Sequence, residues 1–543
     1  VTLVSRAFAT VAKLPALPKR PATKRRVTVH RGLSVRTRDG VILKTDVYEP
    51  VDPDAPVLLV RTPYGRGAPT NVIARTVAER GYRVVVQSCR GTADSGGTFE
   101  PMRNERDDGL DCVDWLKRQP WYRGAFAMFG PSYVGFTQWA VAADAGSDLK
   151  ALCTTVTASS FRDPTYAGGG FSFDTVLTWS SILAAQRGPA TAAVAELLRG
   201  QPKLKRGLHH PTLAEADAVA VGAAVPHFQE WLRETEADAP YWTERGHTHR
   251  VADVTTPILM IGGWYDIFLP WQLVDYATLR AAGRQPRLVI GPWHHGSTGL
   301  LFASVREALP FLDEHLRGGP PATGAPVRVF VGGTEEWRAL DDWPPAHGVQ
   351  EWFLTSDGGL APTRGPGTGG RSFRYDPADP TPSVGGPRLM GTVAGIRDNR
   401  RLEARPDVLV YTSAPLAAPV EAVGPVRAVV RTTSSVPSFD VFVRVCDVHP
   451  DGRSVNICDG LTRVATADGV LEVDVELWPM AHVFGAGHRI RVQVSGGAHP
   501  RWSRNPGTGA ALFEPGPMTA ADREVLDGSK IVLPATLELH IDP

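Results

Sequence analysis

Ala125-Phe126-Ala127-Met128-Phe129 runs directly into Gly130-Pro131-Ser132-Tyr133-Val134-Gly135. Five consecutive apolar residues have the length and character of a strand buried on both faces. The glycines around Ser132 then predict a tight turn into a helix, and Phe136 to Ala143 is helix-compatible. Such a turn lifts the serine hydroxyl above the sheet edge, and the next backbone N–H, that of Tyr133, points where an oxyanion would form. The second glycine follows the serine by three positions instead of two. The string alone is therefore weak, and its place behind a buried strand gives it weight.

Other segments of the same kind surround it. Pro56–Val60, Tyr82–Val86, Pro257–Ile261 and Arg287–Ile290 are short apolar runs, and Asn71–Arg80 and Asp107–Arg118 read as helices between them. Val41–Val47 alternates after the Asp39-Gly40 turn signal, predicting a hairpin. Apolar strands alternating with helices define an α/β domain with a mostly parallel sheet. The rhythm stops between 161 and 250, where Thr191–Arg199 and Phe228–Glu236 are helical in composition; this is an insertion placed to roof a site at the strand ends. From Val327 onward short β-rich runs (Val327–Val331, Val408–Tyr411, Val426–Arg431, Val441–Val445, Leu471–Leu477, Arg489–Val494, Ile531–Leu539) predict a sandwich or jelly roll, with 358–387 as a long loop. The expected division is a basic arm (1–34), an α/β domain (35–160 and 251–318), a helical cap (161–250) and an all-β domain (325–543).

A serine nucleophile needs a base, and the base needs an orienting acid. Behind the strand Pro257–Ile261 comes Gly262-Gly263-Trp264-Tyr265-Asp266, and behind Arg287–Ile290 comes Gly291-Pro292-Trp293-His294-His295. Ser132, Asp266 and a histidine thus follow in the Ser–Asp–His chain order, each beyond a buried strand at one sheet edge. Spacing leaves His294 and His295 as alternatives for the base.

Composition excludes other classes. Lys plus Arg is 58 against 57 for Asp plus Glu, a net charge of +1, so no concentrated basic surface for nucleic acid is indicated. No run approaches 18 apolar residues, which argues against a membrane-spanning helix. Cys89, Cys112, Cys153, Cys446 and Cys458 form no C-x-x-C pair and read as reduced thiols of a cytoplasmic protein. The first 38 residues hold ten Lys or Arg and no acid, without the apolar core of a signal peptide, so secretion is not expected. His209-His210 and His247-x-His249 lack companion ligands at metal spacing, and no phosphate loop or nucleotide fingerprint is present. No metal or cofactor is expected.

At four places the chain also resembles a known family. Gly130-x-Ser132-Tyr133-x-Gly135, Arg61-Thr62-Pro63-Tyr64-Gly65, Gly262-Gly263-Trp264-Tyr265-Asp266 and Gly291-Pro292-Trp293-x-His295 are similar to motifs of the CocE/NonD hydrolases. These include relatives of bacterial cocaine esterase, X-prolyl dipeptidyl-peptidases and α-amino-acid ester hydrolases. Arg405–Tyr411, Asp447–Gly452 and Arg504–Gly509 extend the resemblance into the C-terminal half. It implies an α/β-hydrolase domain with a helical cap insertion plus a C-terminal all-β jelly roll. It further implies Ser132 as nucleophile, Asp266 as orienting acid and His295 as base. The oxyanion hole would be the Tyr64 hydroxyl together with the Tyr133 N–H. One departure is Gln87-Ser88-Cys89-Arg90-Gly91, where relatives often carry an Asp before the Arg-Gly; that segment is expected to be structural.

The substrate is expected to be a small ester or amide. As the resemblance implies, amino-ester hydrolases place acids directly after the triad Asp; here Ile267 and Phe268 are apolar, which favours a neutral acyl group and an esterase. Asp163 and Asp174 in the cap keep a dipeptidyl-peptidase or amino-ester acylase as the alternative. Trp179, Trp231, Tyr166, Phe171 and Phe173 are candidates for an apolar pocket or for plain core. A non-catalytic jelly-roll binding protein is the alternative of another class, and a homodimer is compatible with all of these readings.

Overall fold

The computed structural model describes residues 27–67, 70–186, 202–365, 369–465 and 468–536. The apolar runs pair into one sheet of ten strands: β1 (Thr28–Arg36), β2 (Ile42–Glu49), β3 (Val57–Thr62), β4 (Arg83–Ser88), β5 (Phe126–Pro131), β6 (Leu149–Thr155), β7 (Ile258–Tyr265), β8 (Arg287–His294), β9 (Val327–Val331) and β10 (Glu336–Leu340). Their order is β1-β2-β4-β3-β5-β6-β7-β8-β9-β10. Pairing is parallel from β4 through β9 and antiparallel at both ends. Every residue of β4 and β7 is buried, as strands covered on both faces require. Covering elements include α1 (Thr70–Ala78), α2 (Glu105–Lys117), α3 (Tyr133–Ala142), α6 (Leu269–Ala281) and α7 (Thr298–Arg317). Two further helices, α4 (Phe173–Ala185) and α5 (Pro226–Arg233), belong to the insertion between β6 and β7. Thr191–Arg199 lies outside the described residues.

Four findings depart from the sequence reading. Leu149–Thr155 is a central strand although Lys150 and two threonines interrupt its apolar run; the Lys150 ammonium escapes to the Ser147 carbonyl at 2.6 Å. Val327–Val331 does not join the C-terminal sheet but extends the first, parallel to β8. Thr28 to Ser34, expected in the basic arm, pairs with β2 around the Asp39-Gly40 turn. The stretch 358–387, expected as loop, contains β12 (Gly359–Ala361) and β13 (Gly370–Tyr375).

The C-terminal half is all-β. The remaining strands are β11 (His347–Leu354), β14 (Val408–Ser413), β15 (Val420–Ser434), β16 (Phe439–Val448), β17 (Ser454–Val464), β18 (Leu471–Phe484), β19 (Arg489–Ser495), β20 (Ala521–Leu526) and β21 (Lys530–Thr536). With β12 and β13 they order as β13-β20-β15-β21-β11-β12-β14-β19-β16-β17, and β18 pairs with β15. Among the described residues no helix is long and apolar enough to cross a membrane.

Candidate active site

Ser132, Asp266 and His295 stand at the carboxyl ends of β5, β7 and β8, and Tyr64 stands beyond β3, the edge where open α/β sheets bind ligands. The chain turns from β5 into α3 through Ser132, which holds φ 56° and ψ −128°. A positive φ at a side-chain-bearing residue costs on the order of 1–3 kcal/mol and persists only where its surroundings enforce it. Here the Ser132 N–H donates to the Thr155 carbonyl at 2.9 Å, and its own carbonyl accepts from Gly135 and Phe136 at 2.8 and 2.9 Å. The two glycines make room. A Cβ on Gly130 would lie 2.1 Å from Val134 Cγ1, and one on Gly135 would lie 2.5 Å from Thr157 Cγ2.

Tyr133 opens α3, so its N–H belongs to the first turn, which has no partner within the helix. Its side chain is locked: the phenol donates to Glu105 Oε1 at 3.0 Å and accepts from the Met102 N–H at 2.6 Å. Glu105 in turn pairs with the fully buried Arg61 at 2.8 Å. Arg61 and Tyr133 stand in the quoted motifs, but nothing in the sequence links them to Glu105, which looks like a surface charge.

Tyr265 pairs with His294 across β7 and β8, so the next residues on the two strands come side by side. His295 Nδ1–H donates to Asp266 Oδ2 at 2.8 Å. The other carboxylate oxygen accepts from the Phe268 N–H at 2.8 Å, and the Asp266 carbonyl accepts from Trp478 Nε1 at 3.0 Å. Asp266 is fully buried, whereas the His295 side chain is 11% exposed and packs against Phe268 with ring centroids 5.6 Å apart. With Nδ1 carrying the proton, Nε2 is free to accept one. His294 points elsewhere: its Nδ1 is buried without a partner near Gly391, and burial lowers its pKa. Ser132 and His295 are not hydrogen-bonded to each other; the serine hydroxyl lies within reach of the Tyr64 hydroxyl.

Burial raises the Tyr64 pKa, with hydrogen bonds to Trp179 and Ser132 pulling the other way, so the phenol keeps its proton and remains a donor. Trp179 Nε1 donates to that hydroxyl at 3.1 Å. The Trp179 ring stacks on Tyr133 and Trp231, both with centroids 5.9 Å apart.

A cleft of about 680 Å3, its mouth included, reaches Ser132. Its walls are mostly apolar and come from three parts of the chain: Trp179 and Trp231 from the insertion, Ile267 and Phe268 beside Asp266, and Trp478 and Trp502 from the all-β half. Among the described residues no carboxylate lines it, and the one charged residue that does, Arg501, is paired with Asp459. Asp174 is committed to Arg388 at 2.5 Å, and the half-exposed Asp163 pairs with Arg162 at 3.1 Å. Of the other candidate aromatics, Tyr166 and Phe173 line a second, larger cleft, and Phe171 is buried core.

A strained serine turn, a buried Asp–His pair and an apolar cleft on an α/β sheet define a serine hydrolase. The chain belongs to the CocE/NonD family. Residues 39–297 match the family model described as X-Pro dipeptidyl-peptidase (S15 family), and residues 322–519 match that of the X-Pro dipeptidyl-peptidase C-terminal non-catalytic domain. The chain is 32% identical to cocaine esterase of Rhodococcus sp. (strain MB1 Bresler), an alignment covering 89% of this chain and 93% of that protein. In fold it is similar to an α-amino acid ester hydrolase (TM-score 0.80, 22% identity, 96% of this chain and 100% of that one). The CocE/NonD family hydrolase of Staphylococcus aureus has the same fold (TM-score 0.69, 16% identity, 94% of each chain).

Proposed function

We propose that the protein hydrolyses neutral carboxylic esters with a bulky acyl or alcohol group, through an acyl-enzyme on Ser132. In this mechanism His295 Nε2 takes the serine proton as Oγ attacks the carbonyl and then returns it to the leaving alcohol. Asp266 holds the imidazole in the tautomer that permits this and stabilises the imidazolium. The Tyr64 hydroxyl and the Tyr133 N–H donate to the oxyanion of the tetrahedral intermediate. Water deacylates Ser132 by the same route in reverse. Residues 161–250 act as a cap over this site. Five buried thiols fit a reducing compartment, the cytoplasm.

The observation that carries the ester reading is the cleft itself, mostly apolar and lined by no carboxylate among the described residues. A free ammonium, which X-prolyl peptides and α-amino esters bring, would be desolvated there without a counter-charge, at a cost of several kcal/mol. The family-model descriptions favour dipeptidyl-peptidase activity as the second reading. A panel of p-nitrophenyl esters assayed beside Ala-Pro p-nitroanilide separates the two. Turnover of aryl or branched acyl esters at least about 100-fold above the anilide is expected; the reverse order overturns the ester reading. Ser132→Ala and His295→Ala should each lower kcat by several orders of magnitude, about 10⁴ or more, while His294→Ala stays within a few-fold. Inactivation by His294→Ala with a competent His295→Ala would overturn the base assignment.

A further inference from the structure

We propose a zinc-type divalent cation site on the all-β domain, built by Asp447, His449 and His488. Asp447 is the penultimate residue of the buried strand β16, and His449 is the first residue beyond its end. Val448 pairs with Arg489 across β16 and β19, which sets His488 directly opposite His449. Three ligands of the kinds zinc prefers are thereby delivered to one patch at the adjoining ends of two hydrogen-bonded strands. Their ligand atoms all lie within 4.8 Å of one another, and the two imidazole centroids are 4.6 Å apart. Three donors at zinc distances stand about 3.3 Å apart in tetrahedral coordination, so small side-chain rotations close the site.

The surroundings are those of a ligand set. His482 Nε2 donates to Asp447 Oδ2 at 3.0 Å and fixes the carboxylate, leaving Oδ1 toward His488, whose Nδ1 is 2.8 Å away. An orienting partner behind a metal-binding carboxylate is a recurring feature of such sites. The backbone is fixed as well: the His449 N–H donates to the Arg453 carbonyl at 2.9 Å, and the His488 carbonyl accepts from the Leu416 N–H at 2.8 Å. Asp447 is buried while both histidines are partly exposed, the His488 side chain by 21%, so an ion from solvent can reach them. His449 makes no hydrogen bond to Asp447, so a purely structural Asp–His network has no use for it. One group opposes a cation, the exposed Arg453, whose Nη2 is 3.4 Å from His449 Nδ1; it sits on a turn and can swing into solvent. Two imidazoles and one carboxylate leave a fourth position for water, a set that suits Zn2+, Co2+ or Ni2+.

The test uses the tag-free full chain, treated with EDTA and then freed of it. Titration with Co2+ followed by visible absorption, and with Zn2+ by calorimetry, should each give one equivalent. His449→Ala and His488→Ala should each weaken binding by more than about 100-fold, since even changes behind the ligands cost 10–100-fold. Arg453→Ala should tighten it. Ester hydrolysis by these variants should match wild type, which shows them folded. The proposal is overturned if neither ion binds, or if the His449→Ala/His488→Ala double variant binds with unchanged affinity and stoichiometry.

Discussion

One phenol hydroxyl separates two accounts of the site. Tyr64 reads in the sequence as an ordinary turn residue, and only its resemblance to a family motif singles it out. Its buried hydroxyl accepts from Trp179 at 3.1 Å and lies within reach of Ser132. Tyr64→Phe keeps the ring and removes the donor. If the hydroxyl serves the oxyanion, kcat should fall by roughly 10²–10³, about 2.7–4 kcal/mol, with little change in KM, because that charge exists only in the transition state. If Tyr64 instead binds ground-state substrate, KM rises and kcat holds; if it only packs, both stay within a few-fold. Both constants on one activated ester decide among the three.

The unusual glycine spacing of the serine turn has a physical reason at the level of elements. Gly135 lies in the first turn of α3 where the helix passes the chain leaving β6, and its absent Cβ is the space that Thr157 occupies. Gly135→Ala should therefore overpack this crossing, costing about 1–3 kcal/mol, and lower kcat by shifting Ser132. Thermal unfolding and ester kinetics on the variant check both parts; an unchanged Tm with full activity would mean that the crossing yields freely. The same level shows what a single sequence reveals. β3, β4, β5, β7 and β8 are legible because burial on both faces leaves unbroken apolar runs, and these strands deliver Ser132, Asp266 and His295. β6 is not, because Lys150 leaves the sheet end for a carbonyl and Thr154 and Thr155 are buried polar residues. β9 has the alternating pattern of an exposed sheet, and only its partner β8 reveals where it belongs. Trp478 and Trp502 carry no sign of their place in the cleft, since nothing local links them to Ser132.

At the scale of the whole molecule the insertion between β6 and β7, the sheet and the all-β half meet around the cleft. Trp478 donates to the Asp266 carbonyl, Trp502 Nε1 to the Ala167 carbonyl at 3.0 Å, and Arg388 to Asp174. His499 makes a fourth such link, its Nε2–H donating to the Leu208 carbonyl at 2.9 Å. Its residue exposure is 5%, and Nδ1 has no partner. Burial, reinforced by the nearby Arg504 charge, lowers its pKa from the ordinary 6.5 to about 3. The sign follows. Between pH 6.5 and 3 the unfolded chain binds a proton at this residue that the folded chain does not, so stability rises with pH and is lost as pH falls below 6.5. One such group contributes a slope of about 1.4 kcal/mol per pH unit across that window. His247, lowered to about 4 by burial, acts in the same direction; Asp275, raised to about 7 by burial, acts in the opposite one. A comparison with His499→Gln cancels both, because they are common to the two proteins. Glutamine keeps an N–H donor for the Leu208 carbonyl but does not titrate. Its stability at pH 7.5 should lie within about 1 kcal/mol of wild type, the usual worth of one hydrogen bond. Between pH 6.5 and 4.5 wild type should then lose about 2 kcal/mol more than the variant. Denaturant unfolding of both proteins at half-unit pH steps measures the difference, and parallel curves would mean that His499 takes up its proton without leaving the Leu208 carbonyl.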